Sequence, residues 1–286
     1  MRALVFGASG QIGAPLLRRL HGAGWDVLAV SREPRSAAPG VQWLRGDLQH
    51  CDGLPAAVDA IFSCGPLDHF ARWYAASRID APRVLAFGST SAAAKLDSAD
   101  PGERDLARRL REGEDGVLAA AAVRGAAATL LRPTLVYGAG RDLTLARIAA
   151  FARRRGWMVL PARATGLRQP VHVDDLAAAA LAAQSAAASP GRGYDLPGGE
   201  TLPYREMVAR LLGAMQPAPR LLELPAPLFA IAFGAARLAG VARGIGDAAV
   251  GRLREDLVFD ADPAARDFGY APRRFDAASA AAPASG

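Results

Sequence analysis

The chain opens with a short apolar run, Arg2-Ala3-Leu4-Val5-Phe6, and a glycine-rich turn follows at once, Gly7-Ala8-Ser9-Gly10-Gln11-Ile12-Gly13. A helix-like run, 14–21, comes directly after it. Strand, glycine turn and helix opening, in that order, make a phosphate cradle. Gly7 permits the tight turn, Gly10 lets backbone approach a pyrophosphate, and Gly13 lets helix and strand pack closely. Free N–H groups and the positive end of the helix dipole then face the anion. This beginning predicts a parallel α/β sheet with a phosphate-bearing ligand at its edge.

The rest of the first half fits that start. Apolar runs at 25–30, 41–44, 60–64, 83–87 and 129–131 read as further strands, with helical segments between several of them. Such alternation predicts a doubly wound parallel sheet. Its ligands sit beyond the carboxyl ends of the strands. The residues just after each strand are therefore the ones to examine. They are Ser31-Arg32, Gly46-Asp47-Leu48, Gly65-Pro66 and Gly88-Ser89-Thr90-Ser91. The segment 103–124 reads as a helix, with apolar Leu106, Leu110, Val117 and Leu118 at a helical period. Asp174 is the expected N-cap of an alanine-rich helix, 193–196 a strand returning to the sheet, and 201–212 an amphipathic helix. The expected division is a Rossmann core over 1–167, with 171–197 returning to it. A smaller substrate-binding region would span 198–276, and a frayed tail 277–286.

Charge and cysteine content narrow the function classes. The net charge of +6 comes almost wholly from scattered arginines, because Lys95 is the only lysine. No basic block is interleaved with aromatics, which argues against nucleic acid as a partner. Cys51 and Cys64 lack metal-ligand spacing and form no disulfide framework, so no metal site is expected. The chain begins on a strand rather than a signal segment, and a cytoplasmic setting is the expectation. The stretch 227–242 is apolar but short of a normal membrane span and carries Arg237. It reads as a buried or lid helix, with an interfacial helix as the alternative.

Five motifs occur in a fixed order: the N-terminal glycine turn, Gly46-Asp47-Leu48, Ser89-Thr90-Ser91, Leu131-Arg132-Pro133-Thr134-Leu135-Val136-Tyr137-Gly138, and Gln169-Pro170-Val171-His172-Val173-Asp174-Asp175-Leu176. Together they resemble the extended short-chain dehydrogenase/reductase superfamily, in its NAD-dependent epimerase/dehydratase group, which acts mainly on nucleotide sugars. The resemblance implies roles by position. Gly7, Ser9, Gly10, Gln11, Ile12 and Gly13 would hold the cofactor pyrophosphate. Asp47 and Leu48 would border the adenine, Cys64 and Gly65 would line the cofactor, and Pro133 would lie near the nicotinamide. Ser89, Ser91, Tyr137, Arg141 and Arg168 would face substrate, with Thr90 bonding the reacting oxygen. Asp47 also reads as a turn residue, Thr90 as a turn cap, and His172 as a histidine bonded to backbone. A homodimer is usual for the superfamily.

Cofactor choice follows from the end of the second strand. An acid there would bind the adenosine ribose and favour NAD. The chain instead has Ser31-Arg32, with Arg35 close behind, and an arginine fork suits a ribose phosphate. NADP is therefore expected over NAD.

The chain departs from the family at one point. Active members carry Tyr-x-x-x-Lys on the helix after the fifth strand, and 103–124 has neither residue. Thr90-Ser91-Ala92 also replaces the Thr-Asp-Glu usual in sugar 4,6-dehydratases. Lys95, a few residues past the hydroxyl cluster, is the candidate to replace part of the missing pair; a solvated loop lysine is the competing reading. The leading expectation is an NADP-dependent epimerase or reductase of a nucleotide sugar or related polar substrate. A catalytically silent NADP-binding sensor or assembly protein is the alternative, and a membrane-associated variant acting on a lipid-linked sugar is the third.

Overall fold

The computed structural model describes residues 1–283 apart from 37, 141, 143, 239 and 241–245. Its first half runs β1 (Arg2–Phe6), α1 (Gly13–Gly22), β2 (Asp26–Ser31), β3 (Val41–Arg45), β4 (Ala60–Ser63), α2 (Leu67–Ala76), β5 (Arg83–Phe87), α3 (Ser91–Ala94), α4 (Pro101–Val123) and β6 (Ala127–Pro133). Shorter pieces follow: β7 (Val136–Tyr137), α5 (Leu145–Arg155), β8 (Trp157–Pro161), β9 (Leu167–Arg168), β10 (Val171–His172), α6 (Val173–Ser185) and β11 (Arg192–Leu196). Then come β12 (Leu202–Pro203), α7 (Tyr204–Gly213), β13 (Arg220–Leu224), α8 (Ala226–Leu238), α9 (Asp247–Gly251), a 3-10 turn at Arg252–Arg254, α10 (Asp262–Phe268) and α11 (Ala277–Ala281).

Seven strands form one parallel sheet in the order β11-β6-β5-β4-β1-β2-β3. This is the Rossmann-type α/β fold that the sequence predicts. The central strands are buried on both faces, which is why they read as unbroken apolar runs. Their alternate residues serve two cores. Ala3, Val5, Phe62 and Leu85 pack beneath α1 and α6. Leu4, Phe6, Ile61 and Val84 pack beneath α2 and α4. Among the described residues no helix intervenes between β2 and β3 or between β3 and β4, and β3, last in the strand order, is a partly exposed edge.

A third core gathers α5, β8, α7 and α11, and includes Leu145, Ile148, Leu160, Met207, Leu211 and Ala281. Three expectations are corrected here. The tail expected to fray forms helix α11, because Asp276 Oδ1 accepts the Ala278 and Ser279 N–H groups at 3.1 and 3.2 Å. Its small Ala280 and Ala281 then pack into the third core, 2% and 7% exposed; residues 284–286 lie outside the described ones. The apolar stretch 227–242, expected as a buried or lid helix, contributes to α8, none of whose residues is buried, so the buried reading fails. The N-cap of α6 is His172 rather than Asp174, which stands in the first turn instead.

Candidate active site

The glycine turn is held by backbone lying on backbone. Gly7 adopts a left-handed φ of 67°, and a Cβ there would lie 2.8 to 2.9 Å from the Cys64–Gly65 backbone after β4. A Cβ on Gly13 would collide with the Gly7 carbonyl oxygen. Only hydrogen fits at either position. Gly10 N–H donates to the Gly7 carbonyl at 2.9 Å and closes the turn.

The start of α1 is left open to an anion. Its N-cap, Ile12, offers no side-chain acceptor, and the first turn contains no acid. Among the described residues the N–H groups of Gln11, Ile12 and Gly13 have no protein acceptor. The Gln11 Oε1 atom is buried without a partner. Unpaired donors at a helix start, beside a turn with no room for side chains, fit a dinucleotide pyrophosphate. An open depression of about 590 Å³ borders Ser9, Gly10 and Gln11 and runs past Arg18 to Arg35 and Trp43.

The residues beyond β2 and β3 are arranged around small turns. Ser31 is buried, and its Oγ accepts the Glu33 N–H at 3.2 Å. Arg32 is exposed. Arg35 stands 3.8 Å from the Glu33 carboxylate and over the Trp43 ring. Asp47 Oδ1 caps its own turn, accepting from Gln49 and His50 N–H at 2.7 and 2.9 Å. Those bonds from His50 and Gln49, with charge from His50 and Arg32, hold its carboxyl below the usual range. Leu48 lies against Gly65. Burial pushes the Cys64 thiol up to about 12.

The ends of β5 and β6 are stitched together. The Thr90 N–H and Oγ1 both donate to the buried Pro133 carbonyl, each at 3.2 Å. The hydroxyl is thus left as an acceptor for anything else. Ser89 Oγ accepts the Ser91 N–H at 3.1 Å. Thr90 is the N-cap and Lys95 the C-cap of the short α3. The Lys95 ammonium lies 3.4 Å from Glu103, near the start of α4.

Glu103 was not singled out by the sequence reading, yet several groups converge on it. Arg252 pairs with both its oxygens, and the Ser98 hydroxyl donates at 2.7 Å. Burial alone would raise this carboxyl. The bonds from Arg252 and Ser98 and the Lys95 charge outweigh that and bring it down to about 2. The available signal was Asp100-Pro101-Gly102-Glu103, a helix-start pattern whose acid usually turns back to the cap. Here Asp100 caps α4 alone, and Glu103 reaches across to Arg252. Glu114 was also missed. It holds Arg132 at 2.8 and 2.6 Å, and its signal was a carboxylate on the inward stripe of α4.

Three residues expected to face substrate require comment. Tyr137 is fully buried between His172 and Phe275, and its hydroxyl accepts the Asp276 N–H at 2.9 Å. Burial raises that phenol to about 12. It is a core residue, which corrects the expectation. Arg168 is also corrected. It is 6% exposed, and it donates to the carbonyls of Leu167, Glu255 and Arg252 at 2.7, 2.7 and 2.5 Å. Arg141 lies outside the described residues. His172 bonds the Asp174 N–H through Nδ1, as the backbone reading expected, and Ser279 through Nε2.

Known proteins resemble this chain in sequence and fold. Residues 3–74 match the NAD-dependent epimerase/dehydratase family. The 2-alkyl-3-oxoalkanoate reductase of Stenotrophomonas maltophilia strain K279a is 31% identical over 332 residues, covering 98% of this chain and 100% of that one. The chain belongs to the NAD-dependent epimerase/dehydratase family. Solved structures share its fold at lower identity. MoeE5 in complex with UDP-glucose and NAD aligns with a TM-score of 0.69 at 20% identity, covering 98% of this chain and 96% of its own. UDP-glucuronic acid 4-epimerase from Bacillus cereus, in complex with NAD, aligns at 0.70 and 14% identity, covering 98% and 94%. Membership of the epimerase/dehydratase family bears on the glycine turn, which lies within the matched residues 3–74. It also makes the missing tyrosine more pointed, since the inward stripe of α4 carries Glu103, Ala107, Leu110 and Glu114 in its place.

Proposed function

We propose that this protein is an NADP-dependent oxidoreductase acting at a carbonyl or hydroxyl carbon of an anionic substrate. The observation that carries this reading is the open start of α1, with unpaired N–H groups at Gln11–Gly13, together with the exposed Arg32 that follows β2. The N–H groups would take the pyrophosphate, and Arg32, with Ser31 and Arg35, a ribose phosphate. Asp47, Leu48, Cys64 and Gly65 would line the adenosine side, and Pro133 the nicotinamide end. When bound, the nicotinamide supplies or accepts a hydride. Ser89 and Ser91 would orient the substrate. The Thr90 hydroxyl, with its proton engaged by Pro133, would accept a bond from the substrate. Lys95 would polarise the reacting oxygen once it swings from Glu103.

A 3-oxo acid is favoured over a nucleotide sugar as substrate. The reductase relative spans the whole chain, whereas Tyr137 and Arg168 are committed elsewhere and cannot grip a sugar nucleotide. The nucleotide sugar remains the second reading, supported by the UDP-glucose and UDP-glucuronic acid complexes of MoeE5. Absorbance at the nicotinamide band, followed with NADPH against 2-alkyl-3-oxo acids and UDP-sugars in parallel, tests both. Turnover on the oxo acids is expected. Lys95→Ala should then lower kcat by about a hundredfold, within the range for acid–base groups, and Lys95→Arg should restore part of it. Bound NADP with no turnover on either class would favour the silent sensor instead.

A further inference from the structure

Glu103 sits in a cradle suited to a carboxylate. Arg252 Nη2 and the Lys95 ammonium meet its Oε1, and Arg252 Nη1 and the Ser98 hydroxyl meet its Oε2. A guanidinium fork on both oxygens of one carboxylate is strong and geometrically specific recognition. The groups come from distant parts of the chain. Lys95 closes α3, which begins on Thr90 beyond β5, Ser98 lies before α4, and Arg252 follows α9. Arg252 is fixed from behind. Arg168 donates to its carbonyl and to that of Glu255, and the Gly166 N–H donates to the Leu253 carbonyl at 2.9 Å. All four members of the cluster are half-buried, neither sealed in a core nor free in water.

Two cations, Lys95 and Arg252, act on this one carboxylate, and the surplus positive charge suits a second anion. Glu103 also has another place to go. It is the third residue of α4 after the Asp100 cap, and from that position a glutamate ordinarily turns back to the cap N–H. The Asp100 side chain caps the helix by itself, so the start of α4 does not need Glu103 on Arg252. A 3-oxo acid carries its carbonyl and its carboxylate on either side of a single carbon. Lys95 and Arg252 meet at a single oxygen atom, so the two cations can serve one group each. Given the 3-oxo acid reading proposed above, on which this rests, we propose that Arg252 selects the carboxylate of the substrate. That carboxylate displaces Glu103 towards its own helix start and releases Lys95 for the carbonyl. Glu103 is thus an internal competitor, holding the cradle until the substrate arrives.

Reduction of a freshly prepared 2-alkyl-3-oxo acid and of its methyl ester, each with NADPH and followed at the nicotinamide band, tests it. The parent should favour the acid in kcat/KM. Arg252→Ala should raise the KM of the acid about 10- to 100-fold, the loss of a charge-assisted bond, and that of the ester far less. Arg252→Lys keeps the charge without the fork and should restore part of the preference. Glu103→Gln should act the other way and lower the KM of the acid about fivefold, because the cradle is no longer held by the chain's own carboxylate. A pair with only a structural role would not tighten substrate binding when it is broken. Where circular dichroism shows Arg252→Ala unfolded, Arg252→Lys and Glu103→Gln carry the test. Equal use of acid and ester by the parent, or a raised KM for the acid in Glu103→Gln, would overturn the assignment and leave the oxidoreductase reading standing. Turnover of neither compound by the parent would overturn that reading, and the role of Arg252 with it.

Discussion

Arg32 and Glu103 carry the sharpest tests at the scale of single residues. Arg32 is exposed where an acid would select NAD, and its charge already acts on Asp47. An arginine–phosphate bond contributes about 1.5–3 kcal/mol. Arg32→Ala should therefore weaken NADPH binding by about 10- to 100-fold and leave NADH binding nearly unchanged in a fluorescence titration. Tighter binding of NADH by the parent protein would refute the NADP reading. Glu103 makes a different prediction, about pH. Its folded carboxyl is held at about 2, below the ordinary 4.5. A depressed carboxylate stabilises the fold above its unfolded value and loses that contribution as pH falls through its folded value. Glu103→Gln should cost about 2 kcal/mol at neutral pH. The difference from the parent should shrink between about pH 4.5 and 2 in urea melts. A constant difference across that window would mean that the carboxylate charge contributes nothing.

Among the elements, α11 shows how little sequence a working helix needs. Its five residues are alanines and one serine, and they hold place through one cap and one buried face. Asp276 supplies the cap, and its own N–H is held by the Tyr137 hydroxyl. Ser279 meets His172, and the Ala281 carbonyl accepts from Arg153 at 2.9 Å. Asp276→Ala should cost about 1 kcal/mol. Thermal melts should place that loss together with faster hydrogen exchange at 277–281. An unchanged exchange rate would show that the packing of Ala280 and Ala281 suffices without the cap. The short α3 has a related part in the cleft: it carries the chain from the Thr90 bridge to Lys95 in a single turn.

For the whole molecule, the sheet was the legible part. Runs such as Ala3–Phe6 and Val84–Phe87 face two cores at once, and a residue pattern with no polar side declares that directly. The glycine turn was legible too, because Gly13 is required by contacts within a few residues and Gly7 by the neighbouring turn after β4. The substrate side was not. Tyr137 is buried by Phe275 and capped on its hydroxyl by Asp276, and Arg168 spends its guanidinium on carbonyls of 252 and 255. Those partners lie far along the chain, so local spacing carried no trace of them. Pairing of β8 with β13 was hidden for the same reason. The sheet order has a kinetic corollary. Six of its strands, β1 to β6, follow one another along the chain, but β11 reaches β6 only after α5, β8 and α6 have intervened. Pairing Thr129 with Arg192 closes 63 residues, against 14 for Val27 with Val41, 23 for Ala60 with Arg83 and 24 for Arg2 with Asp26, and long closure is slow. In pulse-labelled refolding, amides bonded between β2 and β3, β1 and β2, and β4 and β5 should gain protection first, and those of β11 late, together with the 57-residue pairing of β1 with β4. The edge beside β6 would then be a passing vacancy during folding, open to any stray strand until β11 arrives.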